Sequence, residues 1–172
     1  MDPSSKHKTI SALEDALVSE FHIFQNLVEL SRQELDALTK RDTTTLSILV
    51  EKKEGLLDEL NKFEEDRRLA TEDLAYFMGI KKQISTVSDV LPYLERVISD
   101  RIKRIQEGIV ALGREIRNLN RNNLALAKTA LEWADATQAY LLSMHQPDYE
   151  TYQVPGKTPK RQSAVRSFDQ WV

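Results

Sequence analysis

At 172 residues the chain has the length of one domain, and five glycines, five prolines, 7% aromatics and 30% charged residues favour long helices over a sandwich or barrel. A net charge of -3 offers no global attraction to nucleic acid or to an anionic membrane. The absence of cysteine excludes disulfides, thiol catalysis and thiolate metal sites, and makes a reducing compartment the default.

The chain opens with "MDPSSKHKTISALEDALVSEF", which has acids where a signal peptide carries its apolar core. No apolar run approaches the roughly 20 residues that a membrane helix needs. A cytoplasmic protein without membrane insertion is expected. The first helix spans residues 11–40, because Ile10, Leu13, Leu17, Phe21, Phe24, Leu27, Leu35 and Leu38 recur at three- and four-residue steps. "KRDTTT" interrupts that stripe, with Asp42 or a threonine placed to cap the next helix. The second helix spans residues 45–78 on Leu46, Leu49, Leu56, Leu57, Leu60, Phe63 and Leu74, and Gly79 stands where a left-handed C-terminal residue is wanted. "IKKQISTVSD" is a connector.

The third helix, residues 89–144, has the clearest period. Ile98, Ile105, Leu112, Leu119, Leu126, Trp133 and Tyr140 fall every seven residues, as do Ile102, Ile109, Ile116, Asn123, Ala130 and Thr137. The second set occupies the a positions and the first the d positions of a heptad seam. Pro92 is acceptable in a first helical turn. Such a helix is about 84 Å long, whereas the first two reach about 45 to 51 Å each. Its far end, from Asn123 onward, is therefore expected to keep an apolar stripe that needs a partner. Asn120, Asn122 and Asn123 cluster at that border, and a polar residue at an a position costs stability while fixing register. Gly108 and Gly113, flanking the seam, either permit close approach of another helix or are merely tolerated at about 1 kcal/mol each. Between residues 45 and 75 nine acids face five bases, and between 95 and 121 seven bases face four acids, which favours pairing of helices two and three. The expected fold is all-α: an elongated antiparallel helical bundle or coiled coil of three main helices over residues 1–144, with a flexible C-terminal tail over 145–172. That tail holds Tyr149, Tyr152, Phe168 and Trp171 and the basic run "KTPKR".

Catalysis has no support. His7, His22 and His145 are scattered, no zinc spacing, nucleophile elbow or phosphate loop occurs, and "EED" at 64–66 is a solvated helix face. No enzyme, metal or cofactor is expected. Bases that alternate with acids, without interleaved aromatics, argue against a nucleic-acid partner.

Three segments resemble the FlgN family of flagellar type III export chaperones for hook–filament junction proteins. In "LVEKKEGLLDELNKFEEDRR" (49–68) the family's Lys, Leu pair, Leu and Arg pair match Lys53, Leu56, Leu57, Leu60, Arg67 and Arg68. In "LNRNNLAL" (119–126) its Asn-x-x-Asn-x-x-Leu step matches Asn120, Asn123 and Leu126, and in "TYQVPG" (151–156) its Tyr-x-x-x-Gly matches Tyr152 and Gly156. The resemblance implies a protein that binds the C-terminal amphipathic helices of junction proteins, prevents their premature assembly and delivers them to the export gate. It implies docking on the gate's cytoplasmic domain through Tyr152 and Gly156 in the tail. Leu119, Asn120, Asn123, Leu126, Trp133 and Tyr140 are then the expected client-binding residues, and Lys53, Leu56, Leu57, Leu60 and Arg67 the bundle motif. The alternative is a structural coiled coil whose seam closes on a second copy as a homodimer, without a secreted client.

Overall fold

The computed structural model describes residues 3–80 and 86–144, with side chains from Ser5. The described residues form an all-α helical bundle without strands. Helix α1 is Pro3–Lys40, α2 is Thr43–Phe77, α3 is the single turn Val87–Val90, followed by a 3-10 turn at Leu91–Tyr93, and α4 is Arg96–Met144. Two units meet between Trp133 and Ala134. The packing described below is that of the first; in the second, residues 134–144 are helical and exposed. The tail at 145–172 lies outside the described residues.

α1 begins earlier than the apolar stripe suggests, because Pro3 suits a first helical position, where its missing N–H is no loss. Both long helices of the hairpin stop in the same way. At the end of α1, Asp42 N–H donates to Ala37 O at 2.9 Å and Arg41 N–H to Leu38 O at 3.2 Å, with Arg41 left-handed at φ 57°. At the end of α2, Ile80 N–H donates to Ala75 O and Gly79 N–H to Tyr76 O, with Gly79 at φ 65°. Each is a Schellman closure, which satisfies carbonyls that the last turn leaves without partners. Glycine adopts this conformation freely, whereas Arg41 bears a steric cost of about 1 kcal/mol. Asp42 then caps α2 by accepting from Thr45 N–H at 3.0 Å. Only Arg41 and Asp42 separate the two helices.

The long third helix does not start at Asp89. Thr86 donates both its N–H and its hydroxyl to the Asp89 carboxylate at 3.0 Å, opening the short helix α3. Counted from that start, Pro92 would be the sixth helical residue, where its ring meets the carbonyl four residues back. The chain instead tightens into the 3-10 turn and extends at Leu94 (φ -90°, ψ 158°) before α4 begins. Val87 and Val90 of this elbow are fully buried beside Leu13, Leu17, Leu74 and Ile102.

α1 lies between its neighbours. It runs antiparallel to α2, with Glu20 opposite Arg67 and Glu34 opposite Lys53. It runs parallel to α4, with Glu14 opposite Arg101 and Ser31 opposite Asn123. A second core of Ile23, Leu27 and Leu60, with Phe24, Leu56, Phe63 and Ile116 against it, continues the first along the bundle. Leu57, expected on the inner face of helix two, is 48% exposed. It neighbours Leu56 at about 100° around the helix, so the two cannot both face one narrow seam.

The two seam glycines separate. A Cβ on Gly108 would lie 2.7 Å from Phe21 Cε2, so the phenylalanine ring rests over a spot that only glycine leaves open. One on Gly113 would lie 3.5 Å from Phe24, an ordinary contact, and one on the exposed Gly55 would meet nothing within 4 Å. Gly55→Ala and Gly113→Ala should each stabilise the fold by up to about 1 kcal/mol. Gly108→Ala should destabilise it by about 1 to 2 kcal/mol through overpacking. Thermal unfolding followed by circular dichroism separates the three; a stabilised Gly108→Ala would contradict the close approach.

Candidate functional site

The polar groups between the helices are arranged at regular intervals. Glu20 and Glu34 stand fourteen residues, two heptads, apart on α1, and Arg67 and Lys53 stand fourteen apart on α2. Arg67 Nε donates to Glu20 Oε1 at 2.6 Å, and Lys53 Nζ to Glu34 Oε2 at 2.6 Å. Leu27 and Leu60, buried in one cluster, sit midway between these two rungs on their respective helices. The Glu20 carboxylate is buried, and desolvation raises its pKa above the usual carboxylate range although the Arg67 hydrogen bond and charge act the other way; Glu64 adds to the rise. A pair of this kind contributes little net stability, because burial offsets most of the attraction. It penalises a slipped pairing, in which either charge would be buried alone.

α4 joins at the same level as the second rung. Asn123 is 4% exposed, and its Nδ2 donates to Ser31 O at 2.9 Å and to Glu34 Oε2 at 2.7 Å. One carboxylate oxygen thus accepts from Lys53 of α2 and from Asn123 of α4, so that three helices meet on Glu34. Ser31, fully buried, lies within 3.4 Å of Asn120 Oδ1. Asn123 Oδ1 is buried with no hydrogen-bond partner among the described residues. Farther along α1, Arg101 forks onto Glu14 (Nε to Oε1, 2.7 Å) and Arg32 reaches Glu115 at 2.6 Å. Among the described residues every interhelical ion pair includes α1; none joins the acidic α2 to the basic α4, as the charge balance alone would favour.

Lys53, Leu60, Arg67 and Asn123 are therefore brought into the interior, with Leu56 half-buried beside them and Leu57 outside. Asn123, expected among the gripping residues, has its amide hydrogens spent inside the bundle. Leu119 is half-buried and Asn120 exposed. Beyond Asn123 the surface of α4 changes: Leu126 is 41% and Trp133 64% exposed, with Leu124 and Leu131 also open to solvent. In the second unit Tyr140 is 62% exposed and Leu141, Leu142 and Met144 are exposed too. Tyr152 and Gly156 lie outside the described residues. Glu20, Ser31 and Glu34 had no place among the expected residues. Their signal was present as two acids at one heptad position on the inner side of helix one, mirrored by two bases on helix two.

No group of three His, Asp or Glu side chains among the described residues could hold a metal, and no helix there is long and apolar enough to cross a membrane. What the described residues offer is a paired hairpin and, beyond Asn123, exposed apolar side chains on α4. The chain belongs to the FlgN family: a family model described as FlgN protein matches residues 1–160. This is a family of flagellar export chaperones and not of known enzymes. No curated protein and no solved structure gives a significant match.

Two measurements probe this interior. Glu34→Ala should destabilise the fold by about 2 kcal/mol, since it leaves Lys53 and Asn123 without an acceptor. A double-mutant cycle of Glu34→Ala with Asn123→Ala should return a coupling of at least about 0.5 kcal/mol, whereas additive losses would mean that the contact contributes nothing. For Glu20 the folded-state pKa lies above the unfolded value, so the folded chain holds the proton more tightly. Its contribution to stability therefore falls as pH rises from the ordinary carboxylate value through the raised one. Relative to Glu20→Gln, the natural chain should be more stable near pH 4 than near pH 7 in urea titrations, and an unchanged or opposite difference would place the pKa elsewhere.

Proposed function

We propose that this FlgN-family chain is the export chaperone of hook–filament junction proteins and grips their C-terminal amphipathic helices on α4. The observation that carries the proposal is the change at Asn123. Up to that residue the heptad seam is buried or half-buried, and after it Leu126 and Trp133 are exposed in the same register. Apolar side chains repeating at this interval are the anchors by which one helix lies along another. Leu119 and Asn120 stand at the entrance to this stretch, and Tyr140 continues its seven-residue spacing. Aromatic side chains dominate the energetics of such contacts, which makes Trp133 and Tyr140 the principal anchors. Covering the client's helix would keep it from assembling before export. Delivery falls to the tail, with Tyr152 and Gly156 as the docking residues for the cytoplasmic domain of the export gate. Because the client must be released, a complex of micromolar affinity or somewhat tighter fits the task, roughly 8 to 10 kcal/mol. The cytoplasm is where such a hand-over takes place.

Light scattering after size exclusion tests this with junction protein, intact and lacking its C-terminal helix. A defined complex with the intact client that is lost on truncation is the expected result. Trp133→Ala and Tyr140→Ala should each weaken that complex by at least about tenfold while helicity stays constant. A stable self-dimer that ignores both clients would instead favour the structural coiled coil.

A further inference from the structure

A second surface lies on the hairpin itself, on the side that α4 does not use. The first half of α1 and the second half of α2 enclose a groove of about 640 Å³ whose lining includes no residue of α4. Ala12 and Ser19 of this groove precede Glu14 and Phe21, the residues turned toward Arg101 and Gly108 of α4, by two positions, or about 200° around the helix. The floor is shallow and small, built on Ala12, Ala16 and Ala70, and small side chains let a further helix settle between two others. Phe63 and Phe77, both half-buried, and Leu69, 46% exposed, supply apolar walls.

The charges at its edges select the occupant. Asp15 borders the groove from α1 and Asp66 and Asp73 from α2, against Lys8 as the one base among the described lining residues. The nearby arginines do not compensate them: Arg67 is held by Glu20, and Arg68 by Glu65 and Glu72. Among the described residues none of the three aspartates forms an ion pair, and all three are exposed. We propose that this groove docks an amphipathic helix of a partner protein, apolar on one face and edged with lysine or arginine on both sides. The apolar face covers Leu69 and the two phenylalanines, and the long basic side chains run out to the aspartates, keeping their charged ends in water. Complementary charge on both edges also fixes which face of the helix enters. Its lining shares no residue with the stretch of α4 proposed above to grip the client, on which this inference does not depend.

The test uses the full chain and two synthetic amphipathic helices with the same leucine face, one with lysine edges and one with glutamate edges, titrated by fluorescence anisotropy. The lysine-edged helix should bind, and the glutamate-edged helix at least about tenfold more weakly. Charge reversal at exposed positions, Asp66→Lys with Asp73→Lys, should weaken the lysine-edged helix about tenfold without loss of helicity or of junction-protein binding. Trp133→Ala with Tyr140→Ala should leave it unchanged. No binding to the natural chain, equal binding of the two helices, or a loss that follows the α4 substitutions would overturn the proposal. So would a free dimer that dissociates on the charge reversal, which would assign the groove to a second copy. Junction-protein binding is read separately, so failure of either surface leaves the other standing.

Discussion

Three helices converge on one carboxylate. Glu34 of α1 accepts from Lys53 of α2 and from Asn123 of α4, and the pairing of all three segments is set at that level of the bundle. A hydrocarbon seam alone tolerates sliding, since one leucine layer resembles the next. A polar residue at an a position removes that freedom, because displacement by a heptad would leave its buried amide without acceptors. With Glu20 and Arg67 two heptads away, the hairpin has two charged rungs with a leucine layer between them, and only one alignment satisfies both.

Specificity of this kind is obtained at some cost in stability. The raised pKa of Glu20 is a direct sign, since burial there outweighs the arginine beside it. Asn123 leaves its own oxygen buried without a partner among the described residues. The apolar clusters on either side offset these losses: Leu13, Leu17, Leu74 and Ile102 at one end, and Ile23, Leu27 and Leu60 beyond. The paired hairpin holds the register of α4 as far as Asn123, past which Leu124 and Leu126 are exposed.

Much of this architecture was readable from residue spacing. The heptads of α4 reported its seam, Asp42 and Gly79 reported the ends of α2, and the break in apolar quality at Asn123 matched the change in burial. What escaped did so for physical reasons. Pro92 suits a first turn only in a helix that starts at Asp89; Thr86 and the Asp89 carboxylate move that start upstream and make the proline a breaker. Glu20 and Glu34 were hidden because a carboxylate on a helix is ordinarily a surface group, and only its partner across the hairpin shows otherwise. The contrast between Gly108 and Gly113 could not be read from spacing, because it depends on where the Phe21 and Phe24 rings come to rest. Charge balance pointed from α2 to α4, yet the ion pairs run through α1, which turns Glu20 and Glu34 toward α2 and Glu14 and Arg32 toward α4.

The two-residue link at Arg41 and Asp42 also bears on the order in which the chain acquires its structure. It places both rungs of the hairpin among the most local long-helix contacts available, and local contacts form fastest. During synthesis α1 and α2 are complete before most of α4 has been made, so a paired hairpin can stand ready as the template on which α4 is laid down. Asn123, made later in synthesis, would then close onto a Glu34 already held by Lys53, so that the last of the three helices finds its acceptor in place.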